Sequence, residues 1–240
     1  MTARDAMAAA RRVTALTGAG VSTASGLPDF GSAALRRAFD LAAYLADERL
    51  RADAWRAWTA MLAAEPNPAH RALTDLQRSG RLRSVLTQNV DGLHQRAGTT
   101  GVVELHGSVR EVVCLSCGRR GAFPPSPDCG ACGGVLRPST VAFGEPLDPA
   151  VLRSARTAVL DCDLLLVAGT SLGVEPAAGL VALAARAGAV VVVCNGEPTP
   201  FDAVAEVVRG PVEDTLPALV AVPSSPSDRP VRTWGDPSTW

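Results

Sequence analysis

One apolar hexapeptide is followed by an unusual crowd of polar side chains. Leu82–Thr87 (LRSVLT) reads as a short buried strand, and behind it come Gln88, Asn89, Asp91, His94 and the pair His106-Gly107. Amide, carboxylate and imidazole groups at the end of a strand lie at the carboxyl edge of a sheet, where open α/β sheets bind ligands. An imidazole at such an edge can accept a proton near pH 7. The amides and the carboxylate beside it can hold a polar ligand in one orientation. The chain has three histidines, and two of them lie in this block.

The second chemical signal is cysteine. Cys114-x2-Cys117 and Cys129-x2-Cys132 are two knuckles separated by a segment rich in Pro, Gly and Ser. Two such pairs at close range can offer four thiolates to one tetrahedral zinc. Nothing marks the chain for export, which disfavours two disulfides. Four thiolates leave no open position, so the expected metal is one structural Zn2+. Cys162 and Cys194 lie in apolar runs and read as core residues.

The elements that must position these groups alternate. Arg12–Thr17, Asp163–Ala168 and Ala189–Cys194 are continuous apolar runs of strand length, as expected of parallel strands buried on both faces. Helical patterns lie between them at Leu35–Ala46, Ala52–Ala64, Ala69–Gln77, Pro149–Leu160 and Ala177–Ala187. The fold class expected is α/β, a doubly wound Rossmann-like parallel sheet with a smaller zinc-binding and helical domain inserted. Residues 1–31, 81–108 and 146–222 would build the sheet domain. A helical module at 32–80 and a zinc-binding module at 109–145 would form the small domain. The tail, 223–240, is rich in Pro, Ser and Asp and reads as disordered.

Three further strand ends carry small or polar residues. Gly18-Ala19-Gly20-Val21-Ser22 follows the first strand, and glycines there let backbone amides approach a pyrophosphate at a helix N-terminus. Thr23 stands where the dinucleotide fingerprint needs a third glycine, so this loop alone could be a tight turn. Gly169-Thr170-Ser171-Leu172 and Asn195-Gly196-Glu197 end two other strands. With the Gln88–His106 block they describe one crevice.

The ordered set of motifs resembles the sirtuins, the Sir2 family of NAD-dependent protein deacylases, in its bacterial type. The segments that carry the resemblance are GAGVSTASGLPDF (18–30), TQNVDGLHQRAG (87–98), ELHGS (104–108), the two cysteine knuckles, RPSTVAFGE (137–145), GTSLGVEP (169–176) and the Asn195 turn. The resemblance implies NAD-dependent removal of acetyl or other apolar acyl groups from protein lysines, giving nicotinamide and O-acyl-ADP-ribose. Gly18, Ala19 and Gly20 would hold the NAD pyrophosphate, with Ser22 also in the cofactor site and Phe30 shielding the nicotinamide face of the ribose. Gln88 would bind that ribose, and Asn89 and Asp91 would shape the nicotinamide pocket, Asn89 counting among the catalytic residues. Ser171 would contact phosphate, with Gly169 and Thr170 also in the cofactor site, and Asn195 would contact the adenosine ribose. His106 would be the general base. Val141, Phe143, Gly144 and Glu145 on one side, and Gly173, Val174 and Glu175 on the other, would hold the acyl-lysine peptide by strand addition.

Departures from the family pattern set further expectations. Members usually carry arginine after the Asp-Phe pair, where this chain has Gly31, so weaker NAD binding or slow turnover is expected, with Arg36 or Arg37 as a substitute charge. Members selective for acidic acyl groups carry Tyr-x-x-Arg in the helix before the Pro-Asn segment. The stretch Ala54-Trp55-Arg56-Ala57 lacks it. Two alternatives stand beside the deacylase: a regulator that binds NAD or ADP-ribose with little turnover, and a protein ADP-ribosyltransferase. His94 and His70 read as structural, His70 supporting a helix N-terminus.

Charge and hydropathy narrow the partners. The chain of 240 residues has net charge −1 and no lysine. No global field recruits nucleic acid or anionic membrane, and the cysteine segment lacks interleaved aromatics to stack bases. No run approaches the ~18 apolar residues of a spanning helix, and Met1–Arg12 has no apolar h-region. A soluble cytoplasmic monomer without nucleic-acid or membrane partners is expected.

Overall fold

A computed structural model describes residues 1–28 and 37–221. In chain order the elements are α1 (Ala3–Ala9), β1 (Val13–Thr17), α2 (Leu41–Ala46), α3 (Glu48–Ala63), α4 (Pro68–Arg78), β2 (Leu82–Thr87), α5 (Leu93–Arg96), β3 (Val102–Glu104), β4 (Gly107–Cys114), β5 (Arg120–Ala122), β6 (Leu136–Thr140), α6 (Pro149–Asp161), β7 (Leu164–Ala168), α7 (Ala177–Arg186), β8 (Val190–Asn195), β9 (Glu206–Arg209) and α8 (Val212–Val220).

Six parallel strands form one sheet in the order β3-β2-β1-β7-β8-β9. The chain winds outward from β1 in one direction and from β7 in the other. The switch point between β1 and β7 opens a crevice at their carboxyl ends, the ligand position of such sheets.

The apolar runs are continuous because both faces of the sheet are covered. Leu164 and Leu166 of β7 face Met7 of α1, Leu73 of α4 and Leu216 of α8. The alternate residues Leu165 and Val167 face Val159 of α6 and Val181 of α7. These side chains are 0–1 % exposed, and full burial of each stabilises by about 1.5–3 kcal/mol.

A second, antiparallel sheet has the order β5-β4-β6. Tyr44, Trp55 and Trp58 of α2 and α3 pack on Val112, Cys114 and Leu136. Trp58 is central, with ring centroids 5.6–6.0 Å from Phe39, Tyr44 and Trp55. Trp55 stacks on Phe123 at 4.2 Å. The Tyr44 hydroxyl donates to the Leu136 carbonyl at 2.8 Å, and the Trp55 indole N–H donates to Pro124 at 3.1 Å.

Within the segment expected as a helical module at 32–80, Ala69, Leu73 and Leu76 of α4 belong to the core of the six-stranded sheet. Of the helix expected over Leu35–Ala46, Arg37 and Ala38 are helical, the chain turns at Phe39, and α2 starts afresh after Asp40, whose carboxylate accepts from the Ala43 amide. The segment taken for α4 starts one residue early, with Asn67 as its cap and His70 returning the hydrogen bond. Phe30, Gly31, Arg36 and the tail 223–240 lie outside the described residues. Among those described, no helix is long and apolar enough to cross a membrane.

Candidate active site

Each wall of the crevice is a strand end that cannot continue its ladder. After β1 the Gly18 amide donates to the Ala168 carbonyl at 3.1 Å, and the Gly20 amide donates to Gly169 at 2.8 Å. The two turns touch backbone to backbone. A Cβ on Gly169, whose φ is +60°, would lie 2.3 Å from the Val21 nitrogen, and one on Gly18 would lie 2.6 Å from the Thr170 Cβ. At Gly169 glycine is required by contact as well as by backbone angle, and at extended Gly18 by contact alone. Thr170 accepts from the Gln88 amide at 2.9 Å and from the Leu172 N–H at 3.2 Å, which ties β2 to the β7 turn. Ser171 stands exposed beside it.

Below these turns lies a buried polar network. Asn89 donates from Nδ2 to the Gly18 carbonyl at 3.0 Å and to Ser22 Oγ at 3.1 Å. Ser22 donates its proton to Asp91 Oδ2 at 2.8 Å, and Asp91 Oδ1 accepts from the Leu93 amide at 2.8 Å. Burial pushes the Asp91 carboxyl up, while the Leu93 amide, Ser22 and the charge of Arg110 pull it down; the net direction is upward. His70 Nδ1 accepts from the Asn67 amide at 3.3 Å, so its other nitrogen carries the proton toward Ser22 Oγ at 3.4 Å. His94 Nε2 meets Thr17 Oγ1 at 2.9 Å, and Thr17 donates to Thr87 Oγ1, also at 2.9 Å. Burial depresses both histidines, His70 to about 4 and His94 to about 3. Both are neutral spacers beneath the pocket.

His106 differs from them. Its Nδ1 faces the Gln88 carbonyl at 2.9 Å. A carbonyl only accepts, so Nδ1 holds the proton and Nε2 offers a lone pair. Burial lowers its pKa, against an opposing effect of the Gln88 carbonyl. The ring is therefore neutral at physiological pH and able to take a proton.

The loops 141–145 and 173–175 carry the expected peptide residues, and the first is hydrogen-bonded to the backbone of this histidine. In 141–145 the Val141 amide donates to the His106 carbonyl at 2.9 Å, and the Phe143 amide donates to Phe39 at 3.0 Å. The Glu145 carboxylate faces Arg137 Nη1 at 3.0 and 3.1 Å. In 173–175, Glu175 accepts from the Gly179 amide at 3.0 Å and caps α7. Phe143 and Val174 are 56 % and 48 % exposed, an apolar pair on the two loops. Gly144 and Gly173 are also exposed. At the far end Asn195 Nδ2 donates to the Glu197 carbonyl at 2.8 Å, and Arg209 donates to the carbonyls of Asn195 and Glu197.

Thr17, Thr87, Arg209 and Arg137 were not among the expected site residues. Hydroxyls at the carboxyl ends of β1 and β2 were the available signal for the two threonines. The arginines act through backbone carbonyls or across a loop, and neither leaves a sequence pattern.

The four knuckle cysteines converge. All their sulfurs lie within 4.8 Å of one another, with Cys114–Cys132 at 3.6 Å and Cys117–Cys129 at 3.8 Å. Bonds of ~2.3 Å in a tetrahedron put sulfurs ~3.8 Å apart, whereas a disulfide needs ~2.05 Å. The set fits one structural zinc and no disulfide.

Comparison with known proteins agrees with this geometry. A family model described as Sir2 family matches residues 18–176. An NAD-dependent protein deacetylase 2 from Streptomyces coelicolor is 48 % identical over 231 residues, 87 % of this chain and 96 % of that protein. An NAD-dependent protein deacylase from Thermus thermophilus is 42 % identical over 95 % of both chains. Among solved structures, a Sir2 homolog–NAD complex superposes with a TM-score of 0.82 at 36 % identity, covering 90 % of this chain and 91 % of that one. A Sir2–p53 peptide–NAD+ complex gives 0.83 at 36 % identity over 90 % and 94 %. The chain belongs to the Sir2 family.

Proposed function

We propose that this chain is an NAD-dependent protein-lysine deacylase that releases nicotinamide and O-acyl-ADP-ribose, acting on acetyl or other apolar acyl groups. The observation that carries the reading is the free Nε2 of His106 beside the buried Asn89–Asp91 pocket, with Nδ1 already committed to the Gln88 carbonyl.

NAD, when bound, supplies the electrophilic ribose carbon that the acyl oxygen attacks. The turns Gly18-Ala19-Gly20 and Gly169-Thr170-Ser171, joined by backbone hydrogen bonds, would hold the pyrophosphate, and Asn195 the adenosine ribose. Asp91 would accept from a bound nicotinamide carboxamide, and Asn89, held by the Gly18 carbonyl and Ser22, would wall the same pocket. Gln88, anchored on Thr170, lies beside the nicotinamide ribose, with Phe30 assigned to the same side. His106 takes the proton of a ribose hydroxyl at Nε2 as that oxygen becomes a nucleophile. The peptide lies between 141–145 and 173–175 as an added strand, its acyl-lysine passing between Phe143 and Val174. Cys114, Cys117, Cys129 and Cys132 hold zinc with a complete thiolate shell and leave it no position for substrate.

The reading includes a domain division, with residues 1–31, the α4 segment, 81–108 and 146–222 as the NAD-binding domain and the rest of 32–145 as the small one. It includes a cytoplasmic monomer without nucleic-acid or membrane partners.

The test is nicotinamide release from NAD with an acetyl-lysine peptide, wild type against His106→Ala. A loss of roughly 10²–10⁴ is expected, with the acid limb of the wild-type profile below pH ~6.5. Mass analysis of the peptide should show loss of acetyl. A gain of ADP-ribose would make the chain a transferase, and no release at all would make it a binding protein.

A further inference from the structure

We propose that Arg137 and Glu145 form a clasp that positions the 141–145 loop for the acyl-lysine peptide, making both of them positioning residues; the inference rests on the deacylase reading. The loop is fixed at its start by the Val141 amide on the His106 carbonyl and at its middle by the Phe143 amide on Phe39. Its end is fixed by Glu145, which does two things at once. Both carboxylate oxygens face Arg137 Nη1, at 3.0 and 3.1 Å, and Oε2 also accepts from the Ala142 amide at 2.9 Å. The carboxylate is thereby spent inside the protein and is not aimed at a ligand.

Arg137 is an odd choice for stability alone. Its side chain is 23 % exposed and that of Glu145 is 33 % exposed. Its Nε is buried without a hydrogen-bond partner among the described residues. A half-sequestered guanidinium with an unmet donor loses hydration that the pair only partly restores. Such a pair gives little net stability, and what it delivers is a fixed direction. Arg137 stands on β6 opposite Val113, next to the Leu136–Cys114 pairing. The clasp therefore ties the substrate loop to the best-braced part of the small sheet.

The clasp also decides how a peptide can pair here. The amides of Val141, Ala142, Phe143 and Glu145 all donate within the protein. Gly144, at φ +84°, makes the reversal between Phe143 and Glu145. Apart from the Gly144 amide, the backbone groups left for an incoming strand on this side are carbonyl oxygens, so their direction sets affinity. That direction depends on the turn Glu145 closes.

The experiment compares Arg137→Gln, Glu145→Gln, the double variant and Arg137→Lys by steady-state kinetics with two acetyl-lysine peptides, one basic and one neutral. NAD binding without peptide is measured alongside. Each single variant should raise the peptide KM roughly tenfold, the effect of losing one charged hydrogen bond. The double variant should add little to either. Arg137→Lys should recover part of the loss. Saturating kcat, the NAD dissociation constant and the ratio between the two peptides should stay near wild type. A KM change in Glu145→Gln without one in Arg137→Gln, or one confined to the basic peptide, would mean Glu145 touches the peptide directly and would overturn the clasp. Wild-type kinetics in every variant would overturn it too. If Arg137→Gln does not fold, Glu145→Gln and Arg137→Lys carry the same comparison. A wild type that deacylates neither peptide would overturn the deacylase reading and the clasp with it.

Discussion

Gly20→Ala tests whether the two glycine turns act as one surface. The backbone of Gly20 lies outside the left-handed region, so alanine is conformationally allowed, but its Cβ would sit 2.9 Å from the Gly169 Cα, 3.0 Å from its oxygen and 3.1 Å from its carbonyl carbon. All three are main-chain atoms that cannot swing away. Carbon contacts settle near 3.5–4.0 Å, so the turns must part by roughly 0.5–1 Å, straining the 2.8 Å bond from the Gly20 amide to Gly169. Overpacking of this kind costs about 1–3 kcal/mol, or about 2–12 °C in Tm for a chain this long. If these turns hold the NAD pyrophosphate, a shift of that size should raise the NAD KM by about ten- to a hundredfold. The assay is nicotinamide release against NAD concentration, with thermal unfolding in parallel. Gly121→Ala serves as control, since a Cβ there meets nothing within 4 Å. A Gly20→Ala protein with unchanged KM and Tm would refute the argument that backbone contact between these turns shapes the cofactor site.

Stability should fall with acid through the two buried histidines. Their folded pKa values are depressed to about 4 for His70 and about 3 for His94, while the unfolded chain protonates near 6.5. The stabilisation is whole above pH ~6.5 and is lost as pH falls toward those values, by up to about 1.4 kcal/mol per pH unit for each histidine. Urea unfolding at pH 7 and pH 5 checks this, and His94→Gln should flatten the slope by up to one proton; an unchanged slope would count against His94. Acetyl-lysine peptides should be preferred to succinyl-lysine peptides, because Arg56 is exposed and paired with Asp53, while Trp55 is buried against Phe123. Competition between the two peptides measures it, and a succinyl preference would show that another cation serves the acyl end.

The sheet was legible because it is buried on both faces. Runs such as Leu164–Ala168 admit few other readings, and the polar groups after Thr87 marked its carboxyl edge. The knuckle spacing foretold four converging sulfurs. What escaped notice has physical reasons. The strand β9 (Glu206–Arg209) is a half-buried edge strand without an apolar run, and α8 carries Pro217 inside it. The placement of α4 depends on which core its apolar stripe meets, and the stripe looks alike in either case. Ser22 was counted with the cofactor-binding residues, and its hydroxyl donates to Asp91 and accepts from Asn89. A serine's single proton has no address in a sequence. Glu145 and Glu175 were assigned to the peptide, but their carboxylates close a turn and cap a helix.

The irregularity in the β4–β6 ladder has a mechanical meaning. Gly107 and Ser108 face Thr140 and Ser139, and then the pairing jumps to Val112 opposite Pro138 before reaching Cys114 opposite Leu136. A bulge of this kind bends the strand and raises its local twist, and Pro138 has no amide with which to pair across it. The ladder is thereby divided into two short paired segments, one carrying Cys114 and the other ending beside His106. The Arg137–Glu145 ion pair spans the division, because Arg137 stands in the first segment while Glu145 lies beyond the second. A shift of the knuckle segment should therefore be felt at the substrate loop through that pair.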